Sequence, residues 1–285
     1  MFGHRIHKTW DARGQAIFEQ TWKQALSAPR RVVKMPYTEH EIVVADTAPH
    51  NWFWNSVDAR NWEMPTFQVF LRYIDERTTV VDFGAWIGPT VLFHAFLSKK
   101  SYAIEGDPAA FAVLKLNVQL NHARDQSLQI ELVPAVVALN HSMIEMHSAS
   151  PGNSCSGIAT VGCGTVSASW LVQAVRLPDL FASWRIPADD NVFIKIDVES
   201  FECALVPSFL SWLSGSAKPT FFIAMHADNV SPCTVEQYRA ITTFIKSFAH
   251  AFCVDTGAPV FEPPSDTEIR CKTGEILMTD RGDGV

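Results

Sequence analysis

The sequence predicts one α/β domain built on a doubly wound, mostly parallel sheet. From Thr78 to about Asp255, short apolar runs alternate with longer helix-like stretches, as in strand–helix–strand units. Glycines and carboxylates follow the first two runs, at the strand ends where such sheets bind ligands. Of the 285 residues, 47% are hydrophobic and 19% are charged, which suits a sizeable core. A chain of this length does not require a second core.

Seven apolar runs are predicted to be the strands of this sheet. They are Val80–Phe83, Tyr102–Glu105, Ile130–Val136, Val192–Val198, Phe221–Met225, Ala251–Asp255 and Ile276–Thr279. Helices are predicted at Thr90–Leu97, Pro108–Leu120 and Ser200–Leu213. Pro108 suits a helix start because its missing N–H would be unbonded there. Pro207 is expected to kink the third helix.

Residues 1–77 are predicted to form a helical and hairpin cap that packs as one unit with a domain spanning residues 78–285. The cap holds five of the nine tryptophans: Trp10, Trp22, Trp52, Trp54 and Trp62. These rings either pack the cap onto the sheet or line a substrate cleft, and both are compatible. The basic residues Arg30, Arg31 and Lys34 are interpreted as a solvated helix end.

The segment Asn140–Trp170 is rich in Ser, Gly, Thr and Ala. This composition predicts a long loop with room for a short strand. Long ordered loops in compact domains are often lids, but a plain surface excursion has the same composition.

Charge and cysteine usage limit the partners and the compartment. The net charge of -7 lacks the basic footprint of nucleic-acid binding, and no apolar run reaches membrane-spanning length. The six cysteines form no C-x-x-C pair, so free thiols in a soluble, cytoplasmic protein are expected. A small molecule is the expected partner, and the oligomeric state is left open.

The first strand runs into a glycine-containing loop, Asp82-Phe83-Gly84-Ala85-Trp86-Ile87-Gly88, followed by a helix. Glu105 ends the next strand, seventeen residues beyond Gly88, and Gly106 follows it. A carboxylate there can accept hydrogen bonds from both hydroxyls of an adenosine ribose. A dinucleotide needs G-x-G-x-x-G for its pyrophosphate, so the spacing of Gly84 and Gly88 favours a ligand without phosphate.

The fourth strand also ends in charged residues, in the run Phe193-Ile194-Lys195-Ile196-Asp197-Val198-Glu199. Strand alternation places Lys195, Asp197 and Glu199 on one side. This cluster points to the same ligand-binding edge of the sheet.

Three stretches together resemble the sequence blocks of FkbM-type methyltransferases. They are Val81–Gly88, Ala103–Pro108 and Ile194–Glu202, and the resemblance extends over about Thr78 to Asp228. It implies a seven-stranded class I methyltransferase sheet of the Rossmann-like kind, with S-adenosylmethionine as cofactor. It also implies O-methylation of a hydroxyl on a small molecule, sugar or natural product.

The resemblance also assigns cofactor-binding residues. It implies that Asp82, Gly84, Ala85 and Gly88 shape the methionine end of the pocket. It further implies that Glu105 holds the ribose, that Gly106 beside it also belongs to the cofactor site, and that Asp197 faces the methyl-transfer region. The chain departs from the family at Trp86, where asparagine is usual, and at Ser200, where glycine is usual.

Transfer to an alcohol requires a base, and the candidates are Asp197 and His226. Their alternative roles are structural: Asp197 would pair with Lys195, and His226 would be a satisfied strand-end histidine. Glu199 is interpreted as a first-turn carboxylate and His94 as a packed residue. No metal is assigned, although Asp197, Glu199, His226 and Asp228 are weaker candidates to hold a divalent cation.

Two further classes of function stay open beside the methyltransferase. One is a cofactor-binding or regulatory protein that has lost catalysis, suggested by Trp86 and Ser200. The other is an NAD(P)-dependent oxidoreductase, which the glycine spacing disfavours.

Overall fold

The computed structural model describes residues 9–158, 165–187, 189–199, 201–213, 218–226, 233–262, 265–269 and 273–282. The α-helices are α1 (Ala12–Ser27), α2 (Asn51–Asp58), α3 (Met64–Tyr73), α4 (Pro89–Ala95), α5 (Pro108–His122), α6 (Leu177–Trp184), α7 (Glu202–Leu205), α8 (Leu210–Leu213) and α9 (Val235–Lys246). The first eight strands are β1 (Arg30–Lys34), β2 (Glu41–Ala45), β3 (Thr78–Phe83), β4 (Lys100–Glu105), β5 (Ile130–Pro134), β6 (Val136–Val137), β7 (Ser142–Ser148) and β8 (Gly157–Ile158). The others are β9 (Ala168–Val175), β10 (Asn191–Ile196), β11 (Thr220–His226), β12 (His250–Cys253), β13 (Phe261–Glu262), β14 (Ser265–Ile269) and β15 (Thr273–Thr279).

The central sheet has seven strands in the order β5-β4-β3-β10-β11-β15-β12. The five strands β5, β4, β3, β10 and β11 are parallel to one another, and β15 is antiparallel to both of its neighbours. The chain moves outward in one direction from β3 and then returns to add β10 on the other side. This reversal creates a switch point between β3 and β10, where α/β sheets bind ligands. The predicted fold class is confirmed, and each of the seven predicted runs contributes a strand to this sheet. The run Ile130–Val136 is divided, however, because its strand ends at Pro134 and Val136 belongs to the second sheet.

The apolar runs reflect burial of the sheet on both faces. All six residues of β3 are buried, as expected for a parallel strand covered by helices. Successive residues serve opposite faces: Val80 packs in the core shared with the cap, and Val81 packs in the core beneath α6, α7 and α9.

The helices after β3 and β4 lie where they were predicted, but the predicted Ser200–Leu213 helix does not form as one element. It is divided into α7, a 3-10 turn at Val206–Phe209, and α8. Pro207 lies inside the 3-10 turn. Its missing N–H and ring prevent an uninterrupted α-helix, so the effect is a break rather than a kink.

The N-terminal cap consists of α1 to α3 and the β1–β2 hairpin, and its core is continuous with that of the sheet. Asn117 and Asn121 of α5 accept hydrogen bonds from the backbone N–H groups of Ala45 and Val43, at 2.8 and 2.9 Å. These bonds fix the hairpin to α5.

The basic stretch after α1 is a strand rather than a helix end. Arg30 begins β1, and its guanidinium donates to the carbonyls of Ala25, Leu26 and Ala28 at the end of α1. Arg31 pairs with Asp58 of α2. The sequence interpretation was therefore wrong for the stretch as a whole, although Arg30 does satisfy helix-end carbonyls.

A second sheet occupies much of the segment predicted to be a loop. Its strands are ordered β6-β9-β7-β8, and β7 pairs with β9 along its whole length. In β9, Trp170, Val172 and Ala174 are buried on one face. The segment Asn140–Trp170 therefore holds β7, β8 and the start of β9, which is more strand than the one short strand expected within the loop.

The expectation of free thiols is wrong for Cys203 and Cys233, which form a disulfide with a Cα–Cα distance of 5.5 Å. Cys253 is also disulfide-bonded, whereas Cys155 is free. Of the described helices, none combines the length and apolar character needed to cross a lipid bilayer.

Candidate functional site

A cavity of about 210 Å³ opens at the carboxyl ends of β3, β4, β10 and β11, over the switch point. One group of lining residues comes from the two sheets and the loops beside them, namely Gly84, Ile104, Glu105, Gly106, Val136, Met146 and Asn153. A second group of lining residues comes from the cap, the segment after β10 and the end of β11, namely Trp52, Phe53, Trp62, Glu63, Asp197, Glu199, Phe201 and His226. We call these the sheet end and the cap end.

The glycine loop after β3 is shaped by packing within the protein. Gly84 has φ +81°, and a Cβ there would stand 1.7 Å from the backbone oxygen of Asp197. Gly88 has φ +95°, and its Cβ would stand 2.7 Å from a methyl carbon of Leu114. Glycine is required at both positions on those grounds. Gly84 lines the cavity, whereas Ala85 and Gly88 are buried in the loop and do not line the cavity.

Glu105 lies directly beside this loop. Its Oε2 accepts a hydrogen bond from the Trp86 backbone N–H at 2.8 Å, and its Oε1 accepts one from Asp107 N–H at 2.7 Å. Burial and the nearby Asp107 charge raise the pKa of Glu105 to about 7. The Gly106 backbone N–H also interacts with this carboxyl and lowers its pKa, as do the Asp107 and Trp86 N–H groups. A carboxylate has about four acceptor sites, so one remains for a ligand.

Trp86 has φ +46° and joins three parts of the site. Its indole N–H donates to the carbonyl of Gly152 at 2.9 Å, and its ring lies edge-on to Phe53 with centroids 4.6 Å apart. Trp86, which stands where FkbM-type sequences usually have asparagine, thus links the glycine loop to the cap and to the 149–157 loop.

Asp107 anchors the 149–157 loop. One carboxylate oxygen caps α5 by accepting from Ala109 N–H, and the other accepts from Gly152 N–H at 2.8 Å and from the Ser156 hydroxyl at 2.6 Å. Residues on both sides of Cys155 line the cavity. The segment therefore forms a wall of the site.

Asp82 lies beneath the cavity rather than in its lining. It is fully buried and accepts hydrogen bonds from Thr90 at 2.7 Å and from Lys195 at 3.2 Å. Its other neighbour is His94, 3.3 Å away and fully buried. Burial alone would raise the pKa of Asp82, but Lys195, His94 and Thr90 hold it below its ordinary value.

Lys195 connects this buried carboxylate to the cavity. Its Nζ lies 3.2 Å from Asp82 and 3.1 Å from Asp197, which lines the cavity. Burial opposes the charge, but Asp197 and Asp82 together raise the pKa of Lys195, so it stays protonated. Lys195 therefore positions Asp197.

His226 ends β11 and is surrounded by carboxylates. Its Nδ1 lies 3.2 Å from Glu202, and its Nε2 lies 3.6 Å from Asp197 and 3.9 Å from Glu199. Burial works against the charged form, but the three carboxylates raise the pKa of His226 to about 9. At neutral pH this imidazole is therefore protonated on both nitrogens and positively charged.

Three of the four weaker metal candidates meet here. Asp197, Glu199 and His226 each offer one ligand atom, and these atoms lie within 4.8 Å of one another. The fourth, Asp228, lies outside the described residues, as does Ser200.

Sequence reasoning missed Glu63 and Glu202. Glu202 is fully buried and accepts from Val198 N–H at 2.9 Å, besides facing His226. Glu63 precedes α3 and reaches the cavity from the cap. Glu202 belonged to a motif that had already been recognised, whereas no local pattern marked Glu63.

No family model matches the chain, and no curated protein matches it. It is similar to the solved structure of methyltransferase FkbM from Methylobacillus flagellatus KT, at 13% identity and TM-score 0.39, over 82% of this chain and 52% of that one. This chain thus spans about half the length of that one. A Streptococcus mutans protein described as a methyltransferase, in complex with SAH, shares 9% identity over 75% of this chain and 93% of that one, with TM-score 0.38. The M. jannaschii tRNA m1G37 methyltransferase shares 13% identity over 90% and 58%, with TM-score 0.36. Similarity at this level does not bear on activity, and the assignment of the fold depends on the observed sheet order.

Proposed function

We propose that this protein is an S-adenosylmethionine-dependent methyltransferase that acts on a hydroxyl of a small molecule, sugar or natural product. The observation that carries the proposal is the position of Glu105. Its carboxyl lines the cavity at the switch point and is tied to the glycine loop through Trp86 N–H.

The sheet end suits an adenosyl group. Glu105 offers an acceptor site for a ribose hydroxyl, while Ile104, Val136 and Met146 provide an apolar surface for a purine. S-adenosylmethionine, when bound, supplies an electrophilic methyl group on a sulfonium.

The cavity does not suit a diphosphate. Among its described lining residues there is no lysine and no arginine. The first residues of α4, Pro89 and Thr90, are buried, and the Thr90 hydroxyl is bonded to Asp82. This helix start is therefore closed to the pyrophosphate that an NAD(P) oxidoreductase would place there.

Asp197 and His226 are the groups that would act on the acceptor hydroxyl. Asp197 is held by Lys195, and His226 is held by Glu202, so both are oriented before the substrate binds. Because His226 is protonated at neutral pH, Asp197 is the available base there, with His226 stabilising its charge.

The proposal is tested by titrating the protein with S-adenosylhomocysteine in a calorimeter at pH 8.5, above the Glu105 pKa of about 7, so that this carboxyl is ionised. Glu105→Gln and Glu105→Ala should weaken binding about ten- to a hundredfold, because hydrogen bonds to a charged group contribute about 1.5–3 kcal/mol. Glu131→Gln is the matched control, since Glu131 lies on the adjacent strand and pairs with Lys100 outside the cavity. Equal affinity in the Glu105 variants and the wild type would reject the assignment.

The catalytic assignment has a separate test. Asp197→Asn and His226→Ala should lose transfer of a labelled methyl group to hydroxylated acceptors, by about a hundredfold or more, while keeping affinity for S-adenosylhomocysteine. If both variants turn over normally, the base lies elsewhere.

A further inference from the structure

Glu63 occupies an unusual position at the cap end of the cavity. It lies at the boundary between the main cavity and a neighbouring surface cavity, because it lines both. Within the described part of the chain, its carboxyl makes no hydrogen bond and no ion pair, and it does not cap α3. A partly buried carboxyl that faces a cavity in this way is available to a ligand.

The backbone of Glu63 is held in a strained conformation. Its φ of 41° and ψ of 43° are left-handed, which costs a residue other than glycine free energy. Met64 and Pro65 of α3 follow at once, and Trp62 precedes it. Such strain is typical of side chains held in place for binding.

The side chains around Glu63 carry more negative than positive charge. Glu63, Asp197 and Glu199 line the main cavity, and among its described lining residues His226 is the one basic side chain. Lys195 is shared with the buried Asp82, so its charge does not offset all of these carboxylates. In the neighbouring cavity Arg60 is outnumbered by Asp255 and Glu275.

The charge balance is reflected in the protonation of Glu63. Burial and the negative charges of Asp197 and Glu275 raise the pKa of Glu63 to about 8, against the positive charges of Lys195 and His226. A bound cation would relieve this repulsion.

We infer that Glu63 binds a positively charged amine carried by the methyl acceptor, so that the substrate is a small hydroxylated molecule with an ammonium group. This inference depends on the proposed function. Glu63 then acts as a specificity-determining residue that the cap contributes to the site.

Aromatic residues favour an organic cation. Trp52 and Trp62 line the same end of the cavity, and Phe53 joins them, with ring centroids 6.0 Å from Trp52 and 4.8 Å from Trp62. Indole faces attract ammonium groups. A divalent ion is the alternative occupant, because Asp197, Glu199 and His226 offer three ligand atoms and water would fill its remaining sites.

The test compares 2-phenylethylamine with 2-phenylethanol, which have nearly the same shape but differ in charge. Each is titrated at pH 8.5 into full-length protein saturated with S-adenosylhomocysteine, because Glu63, with a pKa of about 8, is mostly ionised there. The amine should bind about tenfold or more tightly than the alcohol, and Glu63→Gln should abolish the difference. Glu131→Gln should keep it, and Glu63→Gly, which relieves the backbone strain, should fold but lose it.

Several outcomes would overturn the inference. They are equal affinity for the two probes, no binding of either at millimolar concentration, and an unchanged preference in Glu63→Gln. Displacement of the amine by magnesium ions, or loss of its binding in a chelator, would instead indicate a metal site. If S-adenosylhomocysteine itself fails to bind, the proposed function fails, and that result is distinct from all of these.

Discussion

The α-carbon of Gly84 packs against the backbone carbonyl of Asp197, leaving no space for a Cβ between them. The Asp197 N–H in turn donates to the carbonyl of Phe83 at 3.0 Å. The loops after β3 and β10 are thereby joined where the strand order reverses. Two backbone contacts therefore connect the glycine loop to Asp197, the proposed catalytic residue.

Gly84→Ala should therefore damage the site as well as the fold. The new methyl group must displace the Asp197 backbone, and the positive φ adds strain. We expect a lower melting temperature and about tenfold or greater loss of affinity for S-adenosylhomocysteine. Gly282→Ala is the control, because a Cβ at position 282 meets nothing within 4 Å. Wild-type affinity in Gly84→Ala would show that the two loops are not coupled.

The stability of the protein should depend on the protonation of His226. Its folded-state pKa of about 9 lies above the ordinary 6.5, so protonated His226 stabilises the folded state below pH 6.5. This contribution, at most about 3 kcal/mol, is lost as the pH rises through 9. Urea unfolding at pH 6.5 and 9.5 should show a larger fall in the free energy of unfolding for wild type than for His226→Gln. Parallel behaviour of the two proteins would contradict the assignment.

The Cys203–Cys233 disulfide should contribute substantially to stability. It closes a loop with a sequence separation of 30 residues, for which the chain-entropy model gives roughly 3–4 kcal/mol. The double substitution Cys203→Ala with Cys233→Ala should lose about that much in urea unfolding without reductant. Cys155→Ala, at a free cysteine, is the control and should change little. A double variant as stable as wild type would show that the two thiols are not paired.

Asp107 should couple the 149–157 loop to the start of α5. Asp107→Ala removes the acceptor for Ala109, Gly152 and Ser156, and should cost about 2–3 kcal/mol in unfolding free energy. Ser156→Ala removes one loop contact only and should cost about 1 kcal/mol. Hydrogen exchange at Gly152 N–H should speed up in both, and more in Asp107→Ala. No change at Gly152 would indicate that the loop is held by other contacts.

The sheet and the region of its ligand site could be predicted from sequence. Strands such as β3 are covered on both faces, so they appear as apolar runs whatever else surrounds them. Gly84 and Glu105 follow such runs, and parallel strands bring their carboxyl ends together, so the proximity of these residues followed from topology. The prediction that Asp82 shapes the pocket was wrong, because Lys195 and Thr90 bind its carboxylate beneath the cavity floor.

The amino-acid sequence alone determined the α/β class, the seven strands and the edge of the sheet that carries the site, since these depend on local hydrophobicity and on short strand-end motifs. Only the tertiary structure brought Glu63 and Trp62 to the cavity, placed Glu202 behind His226 and paired Cys203 with Cys233. Each of those contacts joins residues on separate elements, and the distance between them is set by how the elements pack rather than by any pattern along the chain.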